Sequence, residues 1–355
     1  MNGYDIIVIA LCAVIAGVQD WKQIETFGRK RVDWLRGFLA LPNGSPSHDT
    51  FERVFSRLRP GAFQDCFRQW VQAITDGLQL RQVAVDGKTL RGSGTAHLGP
   101  LHLVSAWATD QKLSLGQVAV DAKSNEITAI PELLKLLQLK GALVTIDAMG
   151  CQKTIAEQII AAGADYVLSV KDNQPTLHAD VQQVFMEGLE NDFAELEHRY
   201  HKTSERGHGR EETRHYHVVK IPAELASKHA AFKGLKTLGM VFSERQVGEG
   251  PDTAETRFYI NSMDLKVKAF AQAVRAHWGI ENSLHWQLDV TFGEDQNRVK
   301  NRQAAANLAL LRKLTLVLLK AHPSKASLAC KRLSAALDPA FLEEILKADG
   351  ILEKV

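Results

Sequence analysis

Between residues 81 and 171 the apolar residues change period repeatedly, and the order of those changes restricts the fold more than any single motif does. "RQVAVDGKTL" alternates apolar and polar residues, which predicts a strand, with Gly87 as a break just after Asp86. "LHLVSAWATD" and "LSLGQVAVDAK" predict two more strands around a turn near 110–112. "NEITAIPELLKLLQL" changes to the helical period, with Pro131 in its first turns. "GALVTIDAM" is a short continuous apolar run, as in a central strand covered on both faces. "CQKTIAEQIIAAG" is a helix that ends at Gly163, and "DYVLSVK" is a further strand. Three strands, helix, strand, helix, strand predicts an α/β fold of the α+β kind, a mixed sheet covered by helices.

The flanks differ in character. Residues 1–80 read as helices. "DWKQIETFGRKRVDWLRGFL" has helical spacing, and "GSPSHDTFERVFSRLRP" opens with Ser47 or Asp49 as a cap and stops at Pro60. Gln64 to Leu78 resumes the helical period. "YDIIVIALCAVIAGV" is too short to span a membrane and lacks a basic lead, so it reads as a buried helix. It begins almost at Met1, which suggests an N-terminally shortened chain. After 172 come a helix near 177–189 and several strand-like pieces, to about 262. Helix returns in "DLKVKAFAQAVRAHWGIENSLHWQL" and "QAAANLALLRKLTLVLL", and 323–355 read as a peripheral helical tail. Cys12, Cys66, Cys151 and Cys330 are scattered with no C-x-x-C pair. That argues against a cysteine zinc site or a disulfide scaffold and for a reducing cytoplasm. A net charge of +2 excludes a uniformly basic nucleic-acid binder, so any basic surface is local.

"HWGIENSLHW" places Glu281 among apolar residues, with His277 four positions before it and His285 four after. On an α-helix His277, Glu281, His285 and Asp289 share a face, and Trp278 and Trp286 look like core. Asp86 and Asp147 each end an apolar strand and are followed by small residues. Taken singly, each aspartate is an ordinary turn former or cap. Three carboxylates brought together repel one another unless a cation neutralises them. An all-oxygen set suits Mg²⁺ or Mn²⁺, and two ions ~3.5–4 Å apart serve phosphodiester chemistry. A His–Glu–His face is also a zinc-ligand pattern, and Asp289, Glu294 and Asp295 compete with Glu281 for the third carboxylate.

Several stretches carry a resemblance in a fixed order. They include "GSPSHDTFERVFSRL", "VAVDGKTLRGS", "LHLVSAWA", "KSNEITAIPELL", "VTIDAMGCQ", "DYVLSVKDNQP", "ERGHGREETR", "RFYINS" and "HWGIENSLHWQLDVTFGED". Together they resemble DDE transposases with a ribonuclease-H-like core, in the bacterial insertion-sequence group that includes the H-repeat-associated proteins. The resemblance implies a core of 81–171 and 263–322, a β-rich insertion at 172–262, and an N-terminal helical, DNA-binding domain at 1–80. It implies Asp86, Asp147 and Glu281 as catalytic residues and ligands of two Mg²⁺ or Mn²⁺ ions. Distant relatives carry Tyr-x2-Arg-x3-Glu-x6-Lys on the helix of the glutamate. Here those flanking positions are Val274, His277 and Leu288, a departure from the pattern.

The expected DNA contacts are Lys88 and Arg91 after the first aspartate, and Lys171 and Asn173 past a strand end. Arg206, His208 and Arg210 in a Gly-rich loop join them, as do Arg275, His277 and His285, which replace the missing phosphate ligands. "GRKRVDWLRG" and "NRVKNRQ" are the densest basic runs. The resemblance implies a cytoplasmic, nucleoid-associated transposase with no membrane partner. It would bind terminal inverted repeats and target DNA as a homodimer, hydrolysing and rejoining phosphodiesters. The alternatives are an inactive, shortened DNA-binding remnant and a metal-dependent nuclease without joining activity.

Overall fold

The computed structural model describes residues 3–74, 79–120, 125–207, 209–248 and 251–347. Five helices come first: α1 (Gly3–Ile15), α2 (Trp21–Lys30), α3 (Val32–Leu35), α4 (His48–Arg57) and α5 (Pro60–Ile74). Residues 6–15 of α1 carry no charged side chain and are almost all buried, so the helix is covered on every side rather than on one stripe. Asp20 starts α2 by accepting a hydrogen bond from the Gln23 amide at 2.8 Å.

The sheet begins with an antiparallel meander of β1 (Gln82–Leu90), β2 (Leu101–Ala108) and β3 (Leu113–Val120). Helix α6 (Glu126–Lys135) returns the chain to β4 (Leu143–Ile146), parallel to β1, and α7 (Lys153–Ala161) leads to β5 (Asp165–Val170), parallel to β4. After α8 (Pro175–Glu190) come β6 (His198–Gly207), β7 (Arg210–Lys220), the short α9 (Ala223–Lys228), β8 (Thr237–Val247) and β9 (Thr253–Asn261). These strands extend the sheet already begun: β9 pairs with β5, giving one nine-stranded sheet ordered β3-β2-β1-β4-β5-β9-β8-β7-β6. The chain then runs through α10 (Val267–His277), a π-helical turn (Glu281–His285), α11 (Trp286–Val290), α12 (Arg302–Ala321), α13 (Leu328–Leu337) and α14 (Pro339–Lys347).

The two faces of β1 are sorted by period two. Val83 and Val85 join the core under α6 and α7. Ala84 joins a second core that holds α1, α4, α12 and α14. A third, smaller core seats α10 on β5, β7, β8 and β9.

Three expectations change here. First, β1 runs unbroken through Gly87. Glycine stands there because a methyl group would overlap the Glu126 carboxylate and the His102 imidazole, which hydrogen-bond each other at 2.5 Å above it. Second, 323–347 is not peripheral: Lys331 and Arg332 are buried, and Leu342, Ile345 and Leu346 complete the second core. Third, Trp286 is 52% exposed, because it lies on the opposite side of the helix from the buried stripe of Ile280, Leu284 and Leu288.

Candidate active site

The register of β1 on β4 places the first two carboxylates. The last residues paired in this parallel ladder are Val85 and Ile146. Asp86 and Asp147 are the next residues on the two strands, so they leave the ladder side by side. Asp147 Oδ1 accepts the Met149 amide at 3.1 Å and caps a single 3₁₀ turn. Asn173 Nδ2 donates to the Ala148 carbonyl at 2.6 Å and ties that turn to the segment after β5.

Helix α10 brings the third carboxylate. Gln82 Nε2 on β1 donates to the Ala273 carbonyl at 2.8 Å, and His277 Nδ1 lies 3.0 Å from Thr145 Oγ1 on β4. These contacts fix the end of α10 over the strands. The π turn follows, with the Trp286 amide donating to the Glu281 carbonyl. Such turns displace side chains from the 3.6-residue period. The face expected to carry His277, Glu281, His285 and Asp289 therefore divides. Glu281 is exposed in a cavity of about 240 Å³ that Asp86, Asp147, His277, Lys171 and Arg257 also line. His285 is buried behind Asp86, with Nδ1 3.4 Å from Asp86 Oδ2. Asp289 belongs to another cluster, 2.6 Å from Lys88 Nζ.

The electrostatics favour a cation. Burial pushes the Asp86 carboxyl up to about 7, and the charge of Asp147 adds to the shift. Asp147 is also raised, first by burial and then by the charge of Glu126. Among the described residues no three His, Cys, Asp or Glu side chains are already gathered around one ion position. The chemistry of the donors still fits a hard divalent cation: two desolvated, mutually repelling carboxylates, with Glu281 facing the same space.

The remaining predicted residues fall into distinct places. Lys88 is buried with its ammonium against Asp289, Glu294 and Asp295 at 2.6, 3.0 and 3.3 Å. Those three rivals of Glu281 are thus engaged by Lys88, whose side chain is only 10% exposed. Arg91 is largely exposed beside Asp295, and Lys171 is exposed at the cavity rim. Arg206 is exposed at the tip of β6, and His208 lies outside the described residues. Burial holds His277 down to about 4 and His285 down to about 3. The basic runs also have local partners: Arg31 donates to the Ala336 carbonyl, Lys300 to those of Gly92 and Gly94, and Arg302 to those of Gly99 and Val120.

A second groove of about 600 Å³ opens onto the cavity and shares Arg257, Trp278 and Glu281 with it. Arg210, Arg214, Arg245, Arg257 and Arg275 line it. Arg214, Arg245 and Arg257 were not among the predicted contacts. Their signal was the period-two alternation of "REETRHYHV", "SERQV" and "ETRFY", which puts every second residue of three adjacent strands on one face. The arginines are paired with glutamates: Arg257 with Glu255, Arg275 with Glu205, and Arg210 and Arg214 with Glu212. The Arg257 guanidinium also lies 4.7 Å from the centre of the Trp278 ring.

This ribonuclease-H-like sheet, with Asp86 within β1, Asp147 just past β4 and a glutamate on the helical segment that follows α10, has the arrangement of the DDE class of transposases. The chain matches the family model described as "Transposase DDE domain" over residues 77–318, and the model described as "DDE_Tnp_1-associated" over 3–71. It belongs to the DDE transposase family. It is 43% identical to "Putative transposase YncI" of Escherichia coli O157:H7, over 96% of this chain and 88% of that protein. It is 40% identical to "H repeat-associated putative transposase YhhI" of Escherichia coli strain K12, over 98% and 93%. A relative named "Inactive transposase YbfQ" shares 43% identity over only 53 residues, 15% of this chain and 63% of that protein. No helix among the described residues is long and apolar enough to cross a membrane.

Proposed function

We propose that this chain cuts and joins DNA at the ends of its own mobile element, using Asp86, Asp147 and Glu281 as its catalytic carboxylates. The observation that carries this reading is that the β1–β4 register and the turn after α10 bring all three to one cavity. Those residues would hold two Mg²⁺ or Mn²⁺ ions, which when bound supply activation of a water or a 3′-hydroxyl and stabilise the leaving oxygen.

The chain's own groups do the rest. Neutral His277 keeps the end of α10 on Thr145, and Asn173 steadies the turn after Asp147. Lys171 at the rim offers a charge to the phosphate being cut. The arginine groove gives the DNA backbone a path into the cavity, with Arg210 and Arg275 among its contacts. Because a transposition event joins two ends, a homodimer on DNA follows from the reaction, in a cytoplasmic, nucleoid-associated setting. The N-terminal helices would read the inverted repeats.

The test is cleavage of a supercoiled plasmid carrying the element ends, with Mg²⁺ or Mn²⁺, by the parent protein and by Asp147→Ala and Glu281→Ala. The expected result is metal-dependent cutting at the ends by the parent and a loss of at least ~10³-fold in both variants. Cutting without joining to target DNA would make the protein a nuclease. End binding without cutting would make it an inactive remnant.

A further inference from the structure

Lys320 occupies the last turn of α12, after the buried run of Leu316, Val317, Leu318 and Leu319. Its aliphatic neighbours explain a leucine there better than a lysine. The bland reading is a cation at a helix C-terminus, where it offsets the helix dipole. The geometry disagrees. The side chain leaves its own helix end, and Nζ sits 4.4 Å from the centre of the Trp107 indole and donates to the Ser283 carbonyl at 3.0 Å. No ion pair of Lys320 is found among the described residues. A half-buried ammonium without a carboxylate is stabilised by a π face and a backbone carbonyl together.

Both partners belong to the apparatus that presents Glu281. Ser283 is the middle residue of the π turn. Trp107, fully buried on β2, also underlies the turn's approach, since a Cβ on Gly279 would stand 3.7 Å from its Nε1. A π turn is less favourable than the α-helix on either side of it and persists only where its surroundings specify it. Ile280, Leu284 and Leu288 anchor the inner stripe, but apolar anchors fix no carbonyl direction. Among the described residues, Lys320 supplies the one directional contact to the turn's centre that comes from another helix.

We propose that Lys320 is a positioning residue for Glu281: clamped on Trp107, it holds the Ser283 carbonyl and so keeps the π turn that delivers Glu281 to the cavity. The consequence for catalysis rests on the reading of Glu281 given above, whereas the effect on the turn does not.

The experiment compares Lys320→Met, which keeps the length and loses the charge and donor, with Lys320→Arg, which keeps both. Hydrogen exchange of the segment 279–290 reports the turn directly. Mn²⁺ affinity and end cleavage report Glu281. In Lys320→Met, exchange rises tenfold or more in that segment while β1, β4 and α12 stay protected. Mn²⁺ affinity and cleavage each fall about tenfold or more. Lys320→Arg restores most of all three, and adding Lys320→Met to Glu281→Ala lowers Mn²⁺ affinity no further. Parent-like exchange in Lys320→Met overturns the proposal. So does a rise spread over the whole molecule, which would make Lys320 a general stabiliser. If the confined rise appears while the parent protein neither binds Mn²⁺ nor cuts, the turn assignment stands and the catalytic reading of Glu281 falls.

Discussion

Asp86, Asp147 and Glu281 owe their meeting to different causes, and those causes were unequally legible. The aspartates could be read from the chain, since each follows an apolar run, although β1 continues past Asp86 and only Asp147 stands at a strand end. The glutamate was singled out by its apolar neighbours and by family resemblance. Of its expected companions on one face, His277 shares its cavity but His285 and Asp289 do not, because the 3.6-residue period does not carry across a π turn that no residue type announces. Gly87 was taken for a strand break because its neighbours in space, Glu126 and His102, come from other elements. A different residue carries a pH prediction. His217 stacks with Phe193 and His198 and meets Tyr200 at a tilt, with ring centres 5.5, 5.2 and 5.0 Å away, and its Nδ1 lies 3.1 Å from His198 Nε2. Burial holds it down to about 4, and the charges of His198 and His215 add to the effect. His198 is itself lowered by burial, against the opposing charge of Asp192. In the unfolded chain a histidine titrates near ~6.5. Between about 6.5 and about 4 the unfolded state therefore binds protons that the folded stack refuses, so stability at this site is full above 6.5 and falls as pH falls. Hydrogen-exchange protection in β6 and β7, taken relative to the intrinsic exchange rate at each pH, is expected to fall between pH 7.5 and 5, and His217→Phe, which keeps the ring, is expected to flatten that response. A parent protein equally protected at both values would refute the assignment.

At the level of elements, most strands and helices follow from period and punctuation, and their joining into one sheet does not. The β-rich insertion expected at 172–262 carries no local sign that β9 lies against β5. That long-range pairing aligns β7, β8 and β9 so that Arg210, Glu212 and Arg214 face Arg245 and Arg257 across one groove. Glu212 is the hub of this face. It lies 2.6 Å from Arg214, 3.2 Å from Arg210 and 4.0 Å from Arg245, with its side chain only 12% exposed. A carboxylate in that position competes with any phosphate for the same guanidinium groups. Removing its charge with Glu212→Gln is expected to tighten binding to duplex DNA of arbitrary sequence by about three- to tenfold. The slope of log affinity against log salt is expected to steepen by up to about one unit. Fluorescence anisotropy over a salt series measures both. Weaker binding at every salt concentration would mean that Glu212 shapes the arginines for DNA instead of competing for them.

Across the whole molecule, the helices that read as an N-terminal domain and a C-terminal tail share a core with the sheet. Residues of α1, α4, α12 and α14 meet Ala84 and Trp107 in one cluster with Leu284 and Leu288. Buried cations stitch this assembly together. Arg312 reaches the Gln19 carbonyl and Glu294, and Lys313 donates to Gln117. Arg332 on α13 donates to the carbonyls of Val14 and Thr291, and its guanidinium lies 4.3 Å from the centre of the Phe292 ring. It thus ties α1 to the end of α11, a few residues beyond the glutamate's turn. Hydrogen bonds to a charged group contribute roughly 1.5–3 kcal/mol each, and their loss would leave two carbonyls poorly satisfied. Arg332→Ala is therefore expected to lower unfolding stability by about 2–4 kcal/mol, seen as a lower urea midpoint with an unchanged slope. Ending the chain at residue 322 removes this tie and the apolar side chains of Leu342, Ile345 and Leu346 together. That fragment is expected to lose the cooperative transition of the intact protein, because α1 and α12 would both expose core. A fragment 1–322 that melts cooperatively near the parent temperature would show that the last helices only decorate the fold. A single shared melt in the parent, abolished in the fragment, would show that the fold seating Glu281 depends on helices more than forty residues beyond it in the chain.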